Sequence, residues 1–85
     1  MAFRTKYVAE IFGVRVEAVV KMIHSGKLKA HKHSDKVHWL IEKEDLAYLI
    51  LTDDHYKKKF LQYEPHSGIY MDAYRILAKE INSRL

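Results

Sequence analysis

The stretch that decides the fold runs from Thr5 to Gly26 and reads TKYVAEIFGVRVEAVVKMIHSG. Its first part predicts a short helix over residues 6–12, because apolar side chains recur there at spacings of three and four. Thr5 is a residue type that often caps a helix N-terminus, and Gly13 tolerates the positive φ at which helices commonly end. We therefore expect Thr5 to cap this helix and Gly13 to end it.

The second part of the stretch predicts another helix, over residues 16–25, which Gly26 ends. One side of this helix is apolar and the other side is largely polar. Two short helices joined by a glycine-containing turn form a helix-turn-helix unit. The apolar side holds Val16, Val19, Val20 and Ile23, and the opposite side holds Glu17, Ala18, Lys21 and His24.

The period of the sequence changes after this unit. Residues 28–33 and 37–41 alternate as two strands, and Ser34-Asp35-Lys36 has the residue types of a hairpin tip. Trp39 and Ile41 share one side of the second strand, and we expect Trp39 to belong to the core. These segments predict a small β-hairpin after the two helices.

Three further helices are predicted in the rest of the chain. Acidic residues at 42–45 begin the first, in which Tyr48 is expected among the apolar side chains. The second covers residues 55–63 behind a cap at Thr52-Asp53-Asp54, and the last covers residues 69–84 with an amphipathic pattern. The predicted fold class is therefore mainly α with a small β-hairpin (α+β).

The composition limits the class of protein. A chain of 85 residues suffices for one small domain, and the lack of cysteine excludes disulfides and thiolate sites. No segment approaches the roughly 20 apolar residues that a membrane span needs. The start of the chain does not resemble a signal peptide, so we expect a cytoplasmic protein.

The formal net charge of +4 is unevenly distributed along the chain. Residues 1–43 hold nine Lys/Arg and four acidic residues, whereas residues 44–85 hold six Lys/Arg and seven acidic residues. Four of the six histidines also lie in the basic part. Such a basic region indicates a polyanionic partner, with nucleic acid ahead of an anionic membrane surface.

Three motifs stand in a consistent order: the first reads VAEIFGV from Val8, the second IHSGKL from Ile23, and the third KEDL from Lys43. In this order they resemble the excisionase-type winged helix-turn-helix family, a relative of the MerR-like DNA-binding domains. The resemblance covers residues 5–51, so residues 1–51 are predicted as the DNA-binding domain. Residues 52–85 have no counterpart in the minimal family domain and are predicted as a helical extension.

The resemblance implies that the second helix enters the major groove of double-stranded DNA and that the hairpin forms a wing on the adjacent groove or backbone. The predicted contacts of the recognition helix are Arg15, Glu17, Ala18, Lys21 and His24. Those of the wing are Lys32, His33, Ser34, Lys36 and His38, and predicted phosphate contacts are Thr5, Lys6 and Lys27.

Other kinds of site have weaker support in the sequence. His31, His33 and His38 have a spacing compatible with zinc, but no fourth ligand accompanies them, and histidines on a basic wing have a simpler use. The acids and histidine at residues 53–55 have no nucleophile beside them and are interpreted as a helix cap. We therefore expect neither an enzyme nor a bound metal or cofactor.

The last helix has two interpretations. It either folds back to enlarge a small core, or it leaves Tyr70, Leu77 and Ile81 free for self-association or for a partner protein. The leading functional hypothesis is a sequence-specific DNA-binding protein of bacteria or phages, either a recombination directionality factor or a small transcriptional regulator. An integrase, a recombinase or a polymerase is its expected partner. The alternative is a phage or mobile-element structural or adaptor protein that uses the last helix for protein contacts.

Overall fold

Five helices and two short strands occur in residues 2–32 and 38–85, which are the residues that the computed structural model describes. Their order is β1 (Ala2–Arg4), α1 (Thr5–Phe12), α2 (Val16–His24), β2 (Leu40–Glu42), α3 (Lys43–Thr52), α4 (Asp54–Gln62) and α5 (Gly68–Asn82). The predicted class, mainly helical with a small antiparallel β component, is confirmed.

The two glycines that the sequence marks as helix ends both adopt positive φ. Gly13 has φ 64°, and its N–H is directed to the carbonyls of Ala9 and Glu10 at the end of α1. Gly26 has φ 82° after α2. The chain therefore turns tightly between α1 and α2, as the helix-turn-helix prediction requires.

The N-terminus of α1 differs from the prediction. Thr5 lies inside the helix, and Arg4 occupies the cap position without a side-chain hydrogen bond. The prediction that Thr5 caps α1 is wrong because Arg4 is already extended as the last residue of β1, which moves the change to helical backbone one residue earlier.

The β-structure is built differently from the predicted hairpin. β1 pairs antiparallel with β2, so that Phe3 lies opposite Ile41, and both side chains are buried. Toward the predicted wing, a single bridge joins His31 to Leu40 through backbone hydrogen bonds of 3.0 and 2.8 Å. The expected tip, Ser34-Asp35-Lys36, lies outside the described residues.

One hydrophobic core includes side chains from every helix and from both strands. Phe12 and Val19 bring α1 and α2 together, and Phe60 adds α4. Val19 and Met22, spaced three residues apart, are the buried residues of α2, whereas Val16 is 39% exposed at the start of that helix. Val16, which the pattern assigns to the apolar side, is therefore partly exposed because it lies in the first turn of α2.

Tyr48 is also misplaced by the sequence pattern. It is 65% exposed, while Leu46, Ala47, Leu49 and Ile50 of the same helix are buried. An almost continuous apolar run does not reveal which side of α3 faces solvent, and Tyr48 is the residue left on that side.

Helix α5 packs against α3 and closes the core. Leu77 is fully buried and Ile81 is 7% exposed, and the Lys43 ammonium lies 3.6 Å from a Glu80 carboxylate oxygen across the same two helices. The interpretation that leaves Leu77 and Ile81 free for self-association is wrong, because the chain itself buries both. Tyr70 is half-buried and packs edge-on against Tyr7 of α1 at 5.4 Å.

Candidate nucleic-acid interface

The polar side of α2 is turned to solvent. Arg15, Glu17, Lys21 and His24 are exposed, and Ala18 is half-buried between them. Arg15 occupies the cap position of α2 with extended backbone and makes no side-chain capping bond. The five residues predicted as the reading side of the second helix thus lie on or beside its outer surface, with Arg15 at its first turn.

A cleft of about 370 Å³ brings three elements together at the start of α2. Arg4, Thr5 and Lys6 line it from the start of α1, Val16 from the start of α2, and His38 from the described edge of the predicted wing. Arg4, Lys6 and His38 are exposed, and none of them is in a salt bridge recorded for the described residues. The Lys6 ammonium also lies 5.2 Å from the centroid of the Tyr7 ring. The cleft therefore combines the basic side chains of Arg4 and Lys6 and the His38 imidazole with the amide end of α1, an arrangement that favours an anion.

A second, larger cleft of about 590 Å³ lies between α1 and the turn before α2. Lys6 and Arg15 contribute positive charge to its lining, and Glu10 and Glu17 contribute negative charge. The Glu10 carboxylate also lies 3.7 Å from the His66 imidazole. Since both signs are present, this cleft is a weaker candidate for an anion than the first.

The base of the predicted wing contacts the end of α2. Trp39 is half-buried; the Lys32 ammonium lies 4.5 Å from its ring centroid, and the His24 ring lies edge-on to it at 5.9 Å. The expectation that Trp39 belongs to the core is wrong, since two exposed side chains flank its ring. The predicted wing contacts His33, Ser34 and Lys36 lie outside the described residues.

His31 takes part in a different contact. Its imidazole Nε2 lies 2.8 Å from a Glu42 carboxylate oxygen, and this hydrogen bond holds the pKa of Glu42 below its ordinary range. Within the described ranges, 2–32 and 38–85, no three His, Asp or Glu side chains are grouped as a metal site would need. His33, the middle residue of the proposed zinc set, is outside those ranges.

Lys27 was expected to contact phosphate, but its ammonium is engaged within the chain. It lies 3.0 Å from an Asp53 carboxylate oxygen and over the ring of Tyr56 at 5.2 Å. The hydrogen bond raises the pKa of Lys27 and lowers that of Asp53. Asp53 also accepts the backbone N–H of His55 at 3.0 Å, so it caps α4 as predicted.

Three residues of this surface are not identified by local sequence patterns. Arg4 reaches it through the pairing of β1 with β2, which joins segments almost forty residues apart. Val16 and Trp39 have apolar side chains, and such residue types are usually buried. The sequence signal for a polar surface at these positions is the character of their neighbours. Arg15 precedes Val16, and a run of basic residues and histidines precedes Trp39.

No helix in the described part of the chain has the length and hydropathy to cross a membrane.

Comparison with known protein families agrees with the helix-turn-helix geometry of α1 and α2. No curated protein and no solved structure matches the chain. A family model for a helix-turn-helix domain matches residues 2–52, which include β1 and all elements through α3. Since this match covers more than half of the 85 residues, the protein belongs to the excisionase-type family of DNA-binding helix-turn-helix domains.

Proposed function

We propose that this protein binds double-stranded DNA in a sequence-specific manner, with α2 in the major groove and the predicted wing, residues 28–41, on the adjacent groove or backbone. The observation that carries the proposal is the 370 Å³ cleft, in which basic side chains from the start of α1 and the His38 imidazole from the wing edge meet the first residue of α2. A recognition helix contacts bases through its N-terminal residues, and phosphate contacts beside it fix its position on the duplex.

The side chains on α2 suit base and phosphate contacts of different kinds. Arg15 has the fork geometry that binds guanine, and Glu17 accepts from the amino group of cytosine. Ala18 presents a methyl group to thymine, and Val16, with 39% of its surface exposed, offers a second apolar contact of the same kind. Lys21, one turn further along, is placed for a phosphate.

The residues of this cleft support phosphate binding beside the start of α2, from α1 on one side and from the wing edge on the other. The first backbone amides of α1 have no partner within the helix, and the Arg4 side chain at the cap position makes no capping bond to them. A phosphate at this end is stabilised by these amides and by Arg4 and Lys6. His38 extends the same surface toward the wing, so we propose Thr5, Lys6 and His38 as backbone contacts and add Arg4. Lys27 is left out because it pairs with Asp53.

The biological role that we propose is excisionase-like: recombination directionality or small-scale transcription control in a bacterial or phage-infected cell, with an integrase, recombinase or polymerase as partner. The adaptor alternative depended on the apolar stripe of α5. That stripe is mostly occupied, since Ala73, Leu77 and Ile81 are buried against the rest of the chain. The adaptor role therefore loses most of the apolar surface on which it depended.

The decisive experiment measures affinity for a duplex at several salt concentrations. If about five phosphates are neutralised, log affinity falls with log salt at a slope of about −4.5. Lys21→Ala removes one such contact and should weaken binding to all sequences while making the slope shallower by about 0.9. Lys58→Ala is the matched control, because Lys58 is an exposed lysine on α4, outside the proposed interface.

Selection of bound duplexes from a random pool tests the base contacts. Arg15→Ala should relax the preference at one or two positions and leave the rest of the selected motif intact. A direct repeat in the motif would favour cooperative assembly along DNA, and a palindrome would favour a symmetric dimer. An affinity that does not change with salt, or a Lys21→Ala effect no larger than that of Lys58→Ala, would contradict the proposed interface.

A further inference from the structure

Trp39 connects two elements that the proposed DNA complex needs in a fixed relation. It lies at the base of the predicted wing, and its ring contacts both Lys32 from the other side of the wing and His24 from the last turn of α2. We infer that Trp39 is a positioning residue that holds the wing against the recognition helix so that both engage one duplex. This inference rests on the DNA-binding function proposed above.

The register of the wing base accounts for the contact with Lys32. His31 and Leu40 exchange both backbone hydrogen bonds, which makes them a hydrogen-bonded antiparallel pair. The same register continued toward the tip sets Lys32 opposite Trp39, a position at which antiparallel strands bring side chains closer together. The Lys32 ammonium accordingly lies over the indole ring at 4.5 Å.

The contact with His24 reaches out of the wing. The His24 ring stands at 89° to the indole plane, with its centroid 5.9 Å away, which is the edge-to-face arrangement that aromatic pairs favour. His24 is the last residue of α2. Through this contact, a change in the angle of the wing displaces the His24 side chain at the end of the recognition helix.

The surroundings of Trp39 argue against a purely structural role. Ile41, two residues further on the same strand side, is fully buried in the core. Trp39 is only half-buried, and it is not among the partly buried hydrophobic residues that pack against that core. A large aromatic ring held between the Lys32 ammonium and the His24 ring, away from the core, is better suited to orient a surface than to stabilise the interior.

The test compares Trp39→Ala with Trp39→Phe, which keeps an aromatic ring, and with Tyr48→Ala, which removes an exposed aromatic side chain of α3 that lines neither cleft beside α2. Duplex affinity is measured for each at several salt concentrations. We expect Trp39→Ala to bind about tenfold more weakly, with a salt slope shallower by about 1–2, because one or two wing phosphate contacts are no longer held in place. Trp39→Phe should stay within about threefold of the parent, and Tyr48→Ala should match it.

Two results would overturn the inference while leaving DNA binding intact. One is a Trp39→Ala protein that melts at a lower temperature but, when folded, binds DNA with unchanged affinity and slope. The other is a failure of Trp39→Phe to restore affinity in a protein that is as stable as the parent. Failure of the proposed function itself is distinguishable, because the parent protein would then show no salt-dependent binding to duplex DNA.

A measurement without DNA tests the positioning role of Trp39 independently of the proposed DNA binding. Amide relaxation of residues 31, 32 and 38 reports picosecond-to-nanosecond motion at the wing base. Trp39→Ala should increase this motion, whereas Tyr48→Ala should not. Unchanged relaxation in Trp39→Ala would overturn the positioning role whether or not the parent binds DNA.

Discussion

Replacing Leu77 with alanine tests whether α5 is an integral part of the fold. Leu77 is fully buried between α5 and the rest of the core, next to buried residues of α3. Removing a buried leucine side chain beyond Cβ costs about 2–5 kcal/mol, depending on how far the cavity collapses. A domain of this size has about 4–13 kcal/mol of stability in total. The substitution should therefore remove a large fraction of it.

Thermal and urea unfolding followed by far-ultraviolet circular dichroism measure this effect. A change of 1 kcal/mol shifts the Tm of a domain of this size by about 4–8 °C, so a loss of about 2–5 kcal/mol in Leu77→Ala should lower the Tm by about 8–40 °C. Ile69→Ala is the matched control on the same helix, because Ile69 is 64% exposed and its loss should change stability by no more than about 0.5 kcal/mol.

The outcome that refutes the reasoning is also specific. If Leu77→Ala shifts the Tm by less than about 4 °C, α5 does not close the core. If the parent Tm rises with protein concentration and Leu77→Ala abolishes that dependence, Leu77 contributes to association between copies instead. In that case the packing of α5 on α3 would not describe the protein in solution.

Three other substitutions give smaller and distinct effects. Lys27 keeps the pKa of Asp53 below its usual value of 3.8. The pair therefore stabilises the fold above about pH 4 and ceases to do so as the pH falls through the lowered pKa. Asp53→Asn still caps α4, so the Tm difference between it and the parent should shrink toward pH 3. In Gly13→Ala the added methyl group meets no atom within 4 Å, but alanine is forced to φ 64°. The free energy of unfolding should therefore fall by about 1 kcal/mol. Gly68→Ala is the control, because Gly68 has no positive φ and its replacement should cause no loss. Val16→Ala should leave stability within about 0.5 kcal/mol of the parent yet weaken duplex binding, and a large loss of Tm would show that Val16 packs inward.

Local chemistry explains what the sequence predicted well. Gly13 and Gly26 end helices because their positive φ is costly for other residues, and Asp53 caps α4 through its own short side chain. The amphipathic pattern of residues 69–84 identifies the apolar side of α5, and the structure adds that Ala73, Leu77 and Ile81 on that side are buried by the chain itself. Each of these signals lies within a few residues of the structure that it specifies.

The features that the sequence did not reveal depend on distant partners. Ala2–Arg4 has too few residues for a detectable alternation, and it becomes a strand only because β2 is available to pair with it. That pairing brings Arg4 into the candidate interface and displaces Thr5 from the cap position. Similarly, nothing near Tyr48 indicates that it is on the solvent side of α3, because that depends on where α5 and α4 pack.

Trp39 is the single tryptophan of the chain, and this has a consequence for optical experiments. Its emission reports on the junction of the wing and α2, whereas circular dichroism reports on all five helices. If this junction opens before the helices melt, the two signals will give different unfolding midpoints. Such a difference would reveal local opening at the surface and should not be taken as evidence for a folding intermediate. Conversely, a DNA-induced change in tryptophan emission would be a direct and label-free signal from the proposed interface.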